Sequence, residues 1–174
     1  MPRLPYPKLA PEAYEKLLAV GHYVTTATAL EPVLVELVYL RASTLNGCGF
    51  CIRMHSAELK NHHEPQTRID AIANWQSSEA FTPRERAALA WTDAITSIQS
   101  THASDADYAV VSEFFDGKDL VDLTVAVAQI NTWNRLGIAF ASEWNPPKHQ
   151  QAKPEEPAEI SAVGDDGGKV AEDQ

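Results

Sequence analysis

Two cysteines, Cys48 and Cys51, are the only ones in the chain; two residues separate them, and His55 follows four positions after the second. A helix running on from Cys48 would gather these three side chains within an arc of about 60°. Thiols at i and i+3 on a helix have Cα atoms roughly 5 Å apart, inside the span of a disulfide. Such a pair closes and reopens with little backbone movement. Just before it, Asn46-Gly47 reads as a chain break, since both residues tolerate left-handed backbone. Cys48 would then stand at the mouth of a new helix, where free N–H groups and the helix dipole favour a thiolate. The chemistry on offer is redox.

Three readings of the pair compete. The first is two small buried residues that happen to be close, which is a poor account when the chain's only cysteines fall at CxxC. The second is a metal site of Cys48, Cys51 and His55, with His62 or His63 as a fourth ligand. Zinc accepts such ligands, but its usual signature pairs two separated dyads and only one is present here. Covalent haem attachment is excluded, because Ile52 stands where CxxCH needs its histidine. The third reading, a working dithiol, leads. His55 is then no ordinary surface histidine: one turn beyond Cys51, it is placed to exchange a proton with the thiol or with a water. Glu36 is conspicuous in an otherwise apolar stretch; its plainer reading is a first-turn acid on the helix dipole or an edge residue facing water.

The elements that must position these residues are helices. Residues 1–10 read as an extended, proline-punctuated arm laid across a surface. Pro11 suits a first helical position, and Glu12 to about Thr28 follows with Tyr14, Leu17, Leu18 and Tyr23 as its apolar face. Glu31-Pro32 opens a second helix, whose Val33, Leu34, Leu37, Val38, Leu40 and Leu45 surround it and predict a deep position. The third runs from Cys48 to about Lys60, and a fourth from about Pro65 to Trp75. Thr82-Pro83-Arg84-Glu85 is a capping-box start for a helix to about Ile98. Ser104 to Asp107 starts another, ending at Gly117. Leu120 to about Ala141 is a long apolar helix. No alternating strand pattern competes, so the expected class is all-α, a compact multi-helix domain over 11–144. No internal repeat and no Gly-rich phosphate loop is present.

Composition limits the partners. With 174 residues and 44% hydrophobic content, the chain suits one well-buried domain. Its formal net charge of −10 argues against nucleic acid and anionic membranes, which need clustered Lys and Arg. No window approaches the roughly 18 apolar residues of a membrane span, and Met1 to Pro7 lacks the apolar core of a signal peptide. A cytoplasmic address is expected, where a CxxC is catalytic or metal-binding rather than a permanent staple. Residues 145–174 change character: prolines, glycines and acids without aromatics predict a flexible acidic tail.

The spaced set Glu36, Cys48-Gly-Phe-Cys51 and His55 resembles the Glu-x11-Cys-x2-Cys-x3-His signature of the alkylhydroperoxidase D-like proteins of the carboxymuconolactone decarboxylase superfamily. The flanks are similar too: Asn46-Gly47, Met54-His55-Ser56-Ala57, Phe81 to Leu89, and Asn131-Thr132-Trp133-Asn134-Arg135. The likeness covers about residues 10–143. It implies a compact helical fold assembling into homo-oligomers, commonly trimers or hexamers.

For mechanism the resemblance implies that Cys51 is the peroxidatic thiolate, oxidised to a sulfenic acid by a hydroperoxide, and that Cys48 resolves it to a disulfide. Glu36 and His55 would be the proton relay. A carboxylate alone would raise a neighbouring thiol's pKa, so the relay needs His55 or water in between. No bound cofactor is expected, since no flavin or nicotinamide motif is present; an external dithiol, a lipoyl group or a thioredoxin-like protein, would be the reductant. One residue departs from the archetype: the position before the second cysteine, a second histidine there, is Phe50 here. That removes a proton carrier and makes the mouth more apolar. Lactone decarboxylation fits poorly, because the superfamily's decarboxylases generally lack the cysteine pair. The alternative is a non-catalytic oligomeric stress or metal-binding protein on the same scaffold. Tyr39, Phe50 and Trp133 are read as core.

Overall fold

A computed structural model describes residues 2–143; the expected acidic tail, residues 145–174, lies outside the described residues. Among those described, every regular element is helical and no strand forms. The elements are α1 (Tyr6–Leu9), α2 (Pro11–Thr26), α3 (Pro32–Asn46), α4 (Gly49–Asn61), α5 (Gln66–Ala71), a 3₁₀ turn (Ile72–Ser77), α6 (Pro83–Thr96), α7 (Ile98–Thr101), α8 (Asp105–Ser112) and α9 (Gly117–Ala139).

α3 is the centre. Apolar side chains on nearly every side allow it to pack against α4, α6 and α9 at once. One face meets the larger core, where Val38 and Ala42 lie against Ala88, Val127 and Ile130. The opposite face meets a smaller cluster in which Leu37 and Leu40 join Leu59, Trp75 and Leu89. Leu45, expected among its packing residues, is 40% exposed at the helix's far end.

Two helix starts follow from local chemistry alone. At Thr82 the hydroxyl accepts the Glu85 N–H while the Glu85 carboxylate accepts the Thr82 N–H. Ser104 and Asp107 repeat the arrangement at the start of α8.

Several expectations need correction. The arm is not extended throughout: Tyr6–Leu9 make a helical turn, and the Tyr6 ring stacks on Phe140 at 5.3 Å, which favours compaction against α9. α2 is shallow rather than firmly packed; Leu18 and Tyr23 of its predicted apolar face are exposed, and Val24 is its one buried residue. The expected helix from Pro65 to Trp75 stops at Ala71, and Asn74 leaves helical geometry at φ −127°. The cause is distant in sequence. Arg41 donates to the carbonyls of Ile72 and Ala73, and Arg86 donates to those of Trp75, Gln76 and Ser78. Those carbonyls are satisfied by guanidinium groups instead of by the next helical turn. The helix from Thr82 is also interrupted, at Ser97, where the Thr101 hydroxyl takes the Ala94 carbonyl. Gly117 does not end α8; at φ 43° it sits at the first position of α9, three residues before the expected start.

Candidate active site

The site forms where α3 ends and α4 begins. Gly47 adopts the left-handed conformation at φ 69°, and the Cys48 N–H returns to the Ser43 carbonyl at 3.0 Å, closing α3. The expected break at Asn46-Gly47 is therefore real. Cys48 caps α4, its sulfur accepting the Cys51 N–H at 3.4 Å. The two cysteines are joined as a disulfide with Cα atoms 5.3 Å apart, and each residue is 1% exposed.

His55 follows one turn after Cys51 and is 5% exposed. Its Nδ1 lies 2.8 Å from the Glu36 Oε2 on α3. Glu36 thus faces the site rather than water. A nitrogen this close to a carboxylate oxygen carries a hydrogen, so Nδ1–H donates, which in the neutral imidazole leaves Nε2 with its lone pair. That Nε2 is buried and has no hydrogen-bond partner among the described residues. The Tyr39 ring lies against the imidazole, centroids 5.0 Å apart, and its hydroxyl donates to Gln129 Oε1 at 2.9 Å. Burial first, and then the negative charge of Glu36, push the Tyr39 hydroxyl well above its ordinary pKa. Tyr39 is a neutral wall beside the dyad.

A cavity of about 250 Å³ opens between α2, α4 and α9, with Tyr39, Met54, His55, Gln129 and Trp133 in its wall and His22 at its edge. Neither cysteine lines it.

The sequence profile of the Carboxymuconolactone decarboxylase family matches residues 11–94, from α2 through most of α6. The uncharacterized protein YdfG of Bacillus subtilis is 34% identical over 140 residues, covering 80% of this chain and 95% of YdfG. A crystal structure from Agrobacterium tumefaciens, of a protein of unknown function put forward as an antioxidant defence protein AhpD, is similar with a TM-score of 0.81. It is 36% identical and covers 84% of this chain and 100% of that one. The chain is an AhpD-like member of the carboxymuconolactone decarboxylase family. The fold carries enzyme chemistry elsewhere: the debrominase Bmp8, solved with 2,3,4-tribromopyrrole, shares it at a TM-score of 0.68 and 16% identity, covering 78% of this chain and 72% of Bmp8.

In this AhpD-like chain Cys48 and Cys51 are bonded where α4 begins, and Glu36 and His55 meet across the α3–α4 contact, His55 one turn along α4 from Cys51. His62 and His63 do not; they are exposed beyond the far end of α4, away from the cysteines. Among the described residues no group of three or more His, Cys, Asp or Glu side chains is gathered to hold a metal ion. Of the three residues read as core, Tyr39 is buried, whereas Phe50 and Trp133 are only half-buried.

Sequence reasoning gave no role to the polar face of α9. Asn46, two residues before Cys48, donates to Asn131 and Asn134, both at 2.9 Å. Asn134 in turn donates to the Ser43 hydroxyl at 2.9 Å, and Asn131 to Thr96 at 3.0 Å. This lattice holds the turn carrying Cys48 onto α9. Its signal was visible as amides spaced three apart in an apolar helix, which a buried helix keeps only when they are bonded.

Proposed function

We propose that this protein is a CxxC-dependent peroxidase, a thiol–disulfide oxidoreductase that reduces hydroperoxides and is itself re-reduced by an external dithiol. The observation that carries the reading is the Glu36–His55 contact at 2.8 Å with an unpartnered Nε2 one turn from a bonded Cys48–Cys51 pair.

In the forward half, the Cys51 thiolate attacks the distal oxygen of ROOH. The O–O bond breaks, and Cys51 becomes a sulfenic acid. His55 Nε2 takes the thiol proton and returns it to the departing alkoxide, giving ROH, while Glu36 stabilises the imidazolium between the two transfers. Cys48 thiol then displaces water from the sulfenic acid to form the disulfide. A dithiol of the lipoyl or thioredoxin type reduces the bridge by exchange, delivering two electrons and two protons. Glu36 acts through His55, which separates the carboxylate from the thiol it would otherwise make harder to ionise.

Apolar residues left exposed on α2, among them Leu18 and Val20, are compatible with a homo-oligomer; a trimer or hexamer is what the family resemblance implies and forms part of this proposal. No helix among the described residues is long and apolar enough to cross a membrane; a cytoplasmic setting is part of the proposal. The test is peroxide consumption with dihydrolipoamide, with thioredoxin and with no reductant, side by side. Turnover sustained by one dithiol and stoichiometric without it is expected. No consumption under any of the three conditions would overturn the reading.

A further inference from the structure

Both sulfurs lie against bare backbone on α9. A Cβ placed on Gly137 would stand 3.1 Å from the Cys48 Sγ and 3.6 Å from the Cys51 Sγ. Ordinary contact between heavy atoms lies at roughly 3.5–4.0 Å, so the second distance is comfortable and the first is not. Gly137 is buried within α9, and its backbone is not in the left-handed region that would call for glycine. A glycine inside a helix weakens it relative to alanine. The space beside Cys48 is what this position supplies. Gly137 also continues the spacing of Asn131 and Asn134, so the helix turn that tethers Asn46 leads directly to the one that receives the sulfur.

We infer that Gly137 is a positioning residue for the redox pair: its missing side chain is the room Cys48 needs to close onto Cys51. The inference rests on the dithiol reading above. In the bridged form the S–S bond fixes both side-chain torsions, so the Cys48 sulfur cannot step away from a methyl group on α9. A free thiol can move to another staggered rotamer. A side chain at 137 therefore disfavours the bridge more than the dithiol. The Cys51 sulfur keeps ordinary contact distance, so the attack of Cys51 on peroxide, which makes the sulfenic acid, is spared. The second step, in which Cys48 displaces water from that sulfenic acid, is the one affected.

The experiment equilibrates the full chain with glutathione and glutathione disulfide at graded ratios. Closure there follows Cys48-SH + Cys51-SH + GSSG → Cys48–Cys51 disulfide + 2 GSH, and the closed fraction is read by mass after alkylation. Gly137→Ala is expected to lower the closure constant by about tenfold, near 30 mV for a two-electron couple. Gly137→Val should go further and let a Cys51 sulfenic acid accumulate under peroxide, trapped by dimedone. Thermal melts of Gly137→Ala give a second readout that survives a folding failure of the valine variant. The oxidised form should melt lower than oxidised wild type, and the reduced form should match or exceed reduced wild type. A wild-type pair that closes normally, with an unchanged constant in Gly137→Ala or equal melting shifts in both redox states, overturns this inference alone. A wild-type pair that closes at no ratio overturns it together with the proposed function.

Discussion

Glu36 on α3 and His55 on α4 meet at 2.8 Å across the contact between their helices, and the other imidazole nitrogen is buried without a partner among the described residues. The pairing fixes the tautomer that an acid–base group needs. Glu36→Gln keeps an oxygen able to accept from Nδ1 but removes the charge that would stabilise an imidazolium. Peroxide-driven turnover should drop by about 100-fold or more, the usual scale of acid–base catalysis, while far-UV circular dichroism stays unchanged. Undiminished turnover would remove Glu36 from the proton route.

Tyr39 holds the other side of the imidazole. Tyr39→Phe leaves Gln129 Oε1 without its donor and should lower stability by about 1–2 kcal/mol in urea melts. The sign of its pH dependence follows from the raised pKa. The folded state keeps the phenol protonated, so its contribution is whole below the unfolded value of about 10 and is lost as pH climbs beyond it. Absorbance titration of the wild type should show a late-ionising phenol, missing from Tyr39→Phe.

Asn134 is fully buried and bonded to both Ser43 and Asn46. Asn134→Ala removes two bonds and strands polar partners, and should cost about 2–3 kcal/mol. Because those partners flank the Cys48 turn, hydrogen exchange at Gly47 and Cys48 should quicken more than exchange in α6. Uniform acceleration would reduce Asn134 to a general core residue.

Glu85 tests the scaffold away from the site. Burial pushes its carboxyl upward, but Arg68 and the Thr82 end of α6 outweigh it and hold the group below its usual range. A depressed folded value means stability present above the unfolded pKa of about 4.3 and lost as pH falls through the folded one. Glu85→Gln should therefore cost about 1 kcal/mol at neutral pH and much less near pH 3, compared by urea denaturation.

What the sequence made legible was local. Thr82-Pro83-Arg84-Glu85 and Ser104 to Asp107 contain their own capping partners, and Gly47 its own left-handed turn. The gathering of Cys48, Cys51 and His55 needed only one helix. The misread segments were decided from afar: the 3₁₀ turn by Arg41 and Arg86, the helical arm by Phe140. Ser43 and Asn134 meet across 91 positions, and no pattern within either helix names the partner. Gly137 lies inside a long apolar helix, and nothing in that helix's own pattern marks it as the place where both sulfurs rest.

The central claim is that Cys48 and Cys51 cycle between dithiol and disulfide at the expense of a hydroperoxide. Intact mass of the fully reduced chain, before and after one equivalent of peroxide, tests it most directly. The account predicts a loss of about 2 Da, the two hydrogens released on closing a bridge, and no such loss in Cys51→Ser. An unchanged mass in the wild type, or the same loss in Cys51→Ser, would contradict it.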